Sequence, residues 1–183
     1  MRLHSRVVNP RAIHNLALVG FMGTGKSSIG RLAAERLHFE FIDTDEVIES
    51  QTGKSISDIF VQHGEAAFRK LELDLVQALR DRRNTVIAAG GGLAANPENM
   101  ASLKEHALVV CLWAAPETIW ERVRAQSHRP LLLQVADPLA RIRELLEQRA
   151  PVYRQADVLL HTGLRSPKEV VQQILHQFHL ATK

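Results

Sequence analysis

The sequence predicts an α/β fold, a five-stranded parallel sheet flanked by helices. Two observations carry this expectation. Short apolar strands alternate with amphipathic helices from Asn15 onward, the pattern of a sheet covered on both faces, and a glycine-rich loop opens the first helix directly after the first strand. The strands are predicted at Leu16–Val19, Phe39–Ile42, Thr85–Ala89, Ala107–Leu112 and Asp157–Leu160. Between them apolar residues recur at three and four spacing: Ile29, Leu32, Ala33 and Leu37 in the first helix, and Val170, Val171, Ile174, Leu175 and Phe178 in the last.

Two segments break the alternation. The stretch between the second and third strands is too long for one crossover helix. It holds Gly53, the run Ser55–Phe60 and a predicted helix from Gly64 to Leu79, and reads as a helical insertion over about 43–80. The second, about 125–137, carries Arg129-Pro130 and reads as a mobile lid. It is closed by Asp137-Pro138, a helix start in which Asp caps and Pro takes the first turn. No repeat, low-complexity tract or linker divides residues 15–183, which are predicted as one domain. Residues 1–14 read as a flexible extension. That extension carries Arg2, Arg6 and Arg11 without an acidic residue or an apolar core, so it is not a secretory signal; a frayed tail or an organelle-targeting remnant fits it.

Composition narrows the function classes. At 183 residues and 45% hydrophobic, the chain buries a core, and no stretch approaches the roughly 18–20 apolar residues of a membrane span. The lone Cys111 sits in an apolar run, which excludes an intramolecular disulfide and suits a reducing cytoplasm. A net charge of +3, with scattered arginines and no basic patch interleaved with aromatics, argues against nucleic acid. Scattered arginines do suit anionic small ligands.

Gly20-Phe21-Met22-Gly23-Thr24-Gly25-Lys26-Ser27 matches the phosphate-loop pattern G-x-x-x-x-G-K-[ST] in its required setting, between a strand and a helix. Its glycines turn backbone N–H groups towards a β-phosphate, and the helix N-terminus adds partial positive charge. Lys26 supplies a full charge to the β and γ oxygens, and the Ser27 hydroxyl is placed for Mg²⁺. With neither an Asn-Lys-x-Asp guanine signature nor a long apolar strand ending in Asp, the small-kinase branch of this fold is favoured.

The acceptor side is read from four further places. Asp43 and Asp45 end the second strand, where ligands of parallel sheets bind; one can reach Mg²⁺ through water and the other can accept a hydroxyl proton, although either could simply cap the next helix. Glu65, Arg69 and Glu72 share one face of the inserted helix, as a solvated ion-pair stripe or as a carboxylate clamp centred on Arg69. Gly90, Gly91 and Gly92 follow the third strand, and a plain turn needs only one of them. Leu139, Ile142, Leu145 and Leu146 lead by helical spacing to Arg149, which requires an anionic partner, either a ligand carboxylate or an acid of the chain, before Pro151 ends the helix.

Taken in order, G-F-M-G-T-G-K-S, F-I-D-T-D-E-V-I-E, G-K-S-I-S-D-I-F, G-E-A-A-F-R-K-L-E, A-A-G-G-G, R-P-L-L and R-A-P-V-Y-R resemble the shikimate kinases from Leu16 to about Phe178. The resemblance implies a P-loop fold of the nucleoside-monophosphate-kinase type and transfer of the ATP γ-phosphoryl group to the 3-hydroxyl of shikimate. It implies Asp45 as base and hydroxyl ligand, Asp43 and Ser27 at Mg²⁺, and Arg69, Glu72, Gly90, Gly91, Gly92 and Arg149 around the acceptor. Gly23, Thr24, Gly25, Lys26, Ser27 and Ser28 would take the phosphates, with Lys26 and the lid residue Arg129 stabilising the transferred charge. Adenine would lie between Arg122 or Arg124 and the loop Leu164–Pro167, which contains Arg165. ATP and shikimate are the expected partners of a cytoplasmic monomer. The chain departs from the family pattern at Ala89, where Thr is usual, and in its basic N-terminal extension. A gluconate-type sister kinase and a catalytically silent nucleotide-binding module are the rival readings.

Overall fold

Five strands form one sheet in the computed structural model, which describes residues 11–125, 132 and 135–183. They are β1 (Asn15–Val19), β2 (Glu40–Asp43), β3 (Thr85–Ala88), β4 (Ala107–Trp113) and β5 (Val158–His161). Their spatial order is β2-β3-β1-β4-β5 and every pairing is parallel. Each strand boundary lies within one residue of its predicted place.

Alternate strand residues feed two cores, one on each face, so β1 and β3 are buried at every position and read as unbroken apolar runs. Leu16, Leu18, Val86 and Val110 pack against Ile29 and Ala33 of α1 (Lys26–Leu37) and Val171, Ile174 and Phe178 of α7 (Pro167–Ala181). Ala17, Val19, Ile87 and Val109 face the other core. It is completed by α2 (Thr44–Thr52), α3 (Ile56–Ala78), α4 (Pro97–His106), α5 (Pro116–Val123) and α6 (Pro138–Tyr153). Each large side chain fully buried here contributes on the order of 1.5–3 kcal/mol.

Both interruptions of the alternation appear, with two corrections. α3 begins at Ile56, where Ser55 caps it by accepting from Asp58 N at 3.1 Å, so the Ser55–Phe60 run is its first turn and a half. The predicted start at Gly64 is instead a break within it: Gly64 adopts φ 80°, ψ 171°, a conformation that is nearly glycine-only. α6 starts as predicted, with Asp137 Oδ1 accepting from Ala140 N at 2.9 Å, but Pro151 does not end it. A proline's φ is helical and its missing N–H forfeits one bond, so near a helix end the chain continues through it, here to Tyr153.

Residues 1–10 and most of the predicted lid, including Arg129, lie outside the described residues. Within the predicted extension, Arg11 donates to both oxygens of Asp157, at 3.0 and 2.6 Å, and His14 N donates to His106 O at 3.0 Å. Residues 11–14 are thus bonded to the sheet's amino end, which corrects the flexible reading for that part of the extension. Among the described residues no helix is long and apolar enough to cross a membrane.

At that same end lies a buried polar cluster. Asn15 Oδ1 accepts from Thr85 N at 3.0 Å, which fixes the amide so that Nδ2 donates to Arg82 O at 2.7 Å and to His106 Nδ1 at 2.9 Å. His106 must therefore stay neutral with its proton on Nε2. Burial lowers its pKa below the ordinary 6.5. Above pH 6.5 neither folded nor unfolded histidine is charged; below it the unfolded chain takes up the proton first, so stability falls with pH, by up to about 1.4 kcal/mol per pH unit. Urea unfolding at pH 7.5 and 5.5 should show a larger stability loss on acidification for the wild type than for His106→Gln.

Candidate active site

The phosphate loop connects β1 to α1 across the carboxyl end of the sheet. Gly20, Gly23 and Gly25 have φ of 133°, 74° and 94°, and a Cβ on Gly20 would overlap the Leu112 carbonyl, so the loop's course requires glycine there. Thr24 Oγ1 and Lys26 Nζ both donate to Phe21 O, at 2.8 and 2.9 Å, closing the loop on itself. Ser27 Oγ donates to Asp43 Oδ2 at 2.6 Å, while Asp43 Oδ1 accepts from Asp45 N at 3.1 Å and caps α2. Capping and a place beside the phosphate loop, alternatives in the sequence, are thus both true of Asp43. Ser27 and Asp43 are the pair that fits a nucleotide-bound Mg²⁺, which keeps most of its waters and takes few protein ligands.

Gly23, Gly25, Lys26, Ser27, Ser28, Asp43, Asp45, Gly90, Gly91 and Arg122 line one cleft of about 300 Å³. The three glycines after β3 organise its acceptor end, each against a different side chain. A Cβ on Gly90 would collide with Asp45 Oδ1, and one on Gly92 with Arg69 Nη1. Gly91 O accepts from Arg149 Nη1 at 2.8 Å. Three side chains from β2–α2, α3 and α6 therefore meet at one short backbone segment, and the approach of Asp45 and Arg69 leaves no room for a side chain at positions 90 and 92. Thr44 anchors that segment from behind, its Oγ1 accepting from Gly90 N at 2.7 Å.

Charge in this pocket is strongly coupled. Arg69 donates to Glu65 Oε1 at 2.7 Å and to Glu72 Oε2 at 2.7 Å, so the ion-pair stripe exists and ends in the pocket. Burial works against the Arg69 charge, but the hydrogen bonds and charges of Glu72 and Glu65 outweigh it and hold its pKa above the usual value. Glu72 is only 1% exposed, and its Oε1 has no hydrogen-bond partner among the described residues. Burial pushes its pKa up to about 7 against the opposing pull of Arg69, and the Asp45 charge adds to the rise. Arg149 makes no ion pair among the described residues; its guanidinium lies 5.3 Å from the Phe21 ring centroid, on the phosphate loop itself.

The nucleotide-side arginines separate. Arg122 donates to Gly23 O at 3.1 Å and to Thr162 O at 3.0 Å, joining the phosphate loop to the turn after β5. Arg124 is exposed at the end of α5. Arg165 is exposed and lines a separate depression with Leu160 and Glu169, outside the cleft. Two buried residues against Arg149 and its carbonyl partner were not singled out in the sequence. Phe21 is hidden among the variable positions of the loop motif, and Tyr153 lay beyond a proline taken as a helix end, although its spacing of four from Arg149 was available.

A nucleotide loop on one side of Asp45, and on the other a glycine run that Arg69 and Arg149 both abut, mark the class as a P-loop phosphotransferase among the small-molecule kinases. The family model for shikimate kinase matches residues 22–179. The chain is 48% identical over 174 residues to a shikimate kinase of Thermus thermophilus, covering 94% of each. It is 44% identical over 164 residues to that of Thermodesulfovibrio yellowstonii, covering 90% of this chain and 94% of the relative. The shikimate kinase of Acinetobacter baumannii, solved in complex with shikimate, superposes with a TM-score of 0.87 at 38% identity, over 94% of this chain and 96% of that one. A gluconokinase from Sinorhizobium meliloti, at TM-score 0.60 and 18% identity, shares the fold alone. The chain belongs to the shikimate kinase family.

Proposed function

We propose that this protein transfers the γ-phosphoryl group of ATP to the 3-hydroxyl of shikimate. One observation supports it above the rest: Asp45, Arg149 and Arg69 each abut a different glycine of the run 90–92, beside the phosphate loop. The two guanidinium groups take the acceptor's carboxylate. Asp45 orients the acceptor hydroxyl and receives its proton as the oxygen attacks the γ-phosphorus and the bond to ADP breaks. Lys26 and the N-terminus of α1 balance charge on the phosphates, and Arg129 from the lid adds to it. Mg²⁺, held through Ser27 and by Asp43 through water, would neutralise phosphate charge when bound. Because the transition state is loose, positioning and electrostatics carry the acceleration.

A coupled ADP-release assay tests the acceptor. ADP should form with shikimate, not with gluconate, and stop when EDTA removes the cation. Release with gluconate alone would favour the sister kinase, and none with any acceptor the silent module. Lys26, Ser27 and Asp45 in place together argue against the latter.

Glu72 gives the acceptor site a pH dependence. A second carboxylate beside Arg69 raises the Glu72 pKa further above its value of about 7, so binding takes up a proton. Acceptor affinity should therefore weaken as pH rises through 7. We expect KM for shikimate to increase by about three- to tenfold between pH 6 and 8, and the slope to flatten in Glu72→Gln.

A further inference from the structure

Tyr153 is the chain's single tyrosine and ends α6 one helical turn beyond Arg149. Its hydroxyl donates to Gly91 O at 2.7 Å, and Arg149 Nη1 donates to the same oxygen at 2.8 Å. Both lone pairs of that carbonyl are thereby used. The tyrosine is 7% exposed, and burial pushes its pKa up to about 12, so it remains a donor throughout the working pH range. Gly91 is also backed onto the phosphate loop: a Cβ there would lie 3.4 Å from Met22 N and 3.8 Å from Gly20 O.

The N–H that Arg149 gives to Gly91 O is one of the five its guanidinium carries, and turning it towards an arriving carboxylate leaves the carbonyl. With no second donor, that move would strand a carbonyl in a half-buried place, and the cost would be taken from acceptor affinity. We propose that Tyr153 is a positioning residue for the acceptor: its hydroxyl keeps the Gly91 carbonyl bonded, and the glycine run in place against the phosphate loop, while Arg149 turns from that carbonyl to the acceptor's carboxylate. The role rests on shikimate being the acceptor.

Tyr153→Phe removes the hydroxyl and keeps the ring. We expect KM for shikimate to rise about tenfold, with kcat and the KM for ATP within about twofold. In an Arg149→Met background, where no guanidinium leaves the carbonyl, the same replacement should change kcat/KM for shikimate by less than about twofold. An equal loss in both backgrounds would make the role merely structural, and no loss in either would abolish it. A second measurement needs no truncation. Because the chain has one tyrosine, 3-fluorotyrosine labels position 153 alone, and its ¹⁹F resonance should move on saturation with shikimate and stay put with ATP. A resonance unmoved by shikimate in an active enzyme overturns the role alone. A wild type inert towards shikimate overturns the acceptor assignment as well.

Discussion

Asp45→Asn is expected to lower kcat for shikimate phosphorylation by about 10³-fold while nucleotide affinity stays within about twofold of wild type, the loss that follows removal of a positioned general base. The residue sits at the start of α2, where the Asp43 cap holds its backbone N–H, and its carboxylate lies against Gly90. Asparagine is isosteric and keeps a carbonyl oxygen to orient the acceptor hydroxyl, so KM for shikimate should change much less than kcat. It cannot take the proton. The substitution also removes the negative charge that helps raise the Glu72 pKa, so the pH at which acceptor affinity weakens should move down. Single-turnover kinetics with saturating ATP and shikimate give the chemical step directly. Wild-type turnover in this variant would remove Asp45 from the mechanism, whereas parallel losses in kcat and ATP binding would point to collapse of the loop below it.

The parts of this molecule that were legible in the sequence are those in which local chemistry and periodicity agree. β1, β3 and β4 are buried on both faces, so their apolar runs admit no other reading, and the phosphate loop is specified by glycines at positive φ and by its place between strand and helix. What failed were boundaries at glycine and proline. Gly64 and Pro151 both carry strong local signals to stop a helix, yet at each the chain continues as helix on the far side. The conditional readings of Asp43 and of the Arg69 stripe could not be resolved either, because each depends on whether two elements distant in sequence come together. Asp43 caps its own helix and meets Ser27, and Arg69 pairs with its own helix and meets Gly92; a single spacing rule sees only the first of each. The same blindness hid Tyr153, whose partner lies on the loop after β3.

Arg149→Lys is the sharpest test of how the acceptor is held. The guanidinium bonds Gly91 O with one nitrogen and lies over the Phe21 ring, so it ties α6 to both the glycine run and the phosphate loop before any carboxylate is considered. Lysine keeps the charge and loses the fork: it can serve the carbonyl or the carboxylate as a point donor, but not offer two parallel N–H groups from a fixed plane. A charge-assisted hydrogen bond is worth about 1.5–3 kcal/mol, which predicts a rise in KM for shikimate of about 10- to 100-fold with the KM for ATP unchanged. Because Phe21 belongs to the phosphate loop, kcat should fall as well, by less than the change in KM, as the acceptor loses its alignment with the γ-phosphorus. The comparison with Arg69→Lys separates grip from placement: Arg69 is held by Glu65 and Glu72 whether or not an acceptor is present, and its hydrogen bond opposes the rise of the Glu72 pKa, so its replacement should also move the pH dependence of KM to higher pH, whereas Arg149→Lys should leave that dependence in place. Identical pH profiles and equal losses in the two variants would mean that the arginines act only as a summed positive charge, and the geometric account of the pocket would fall.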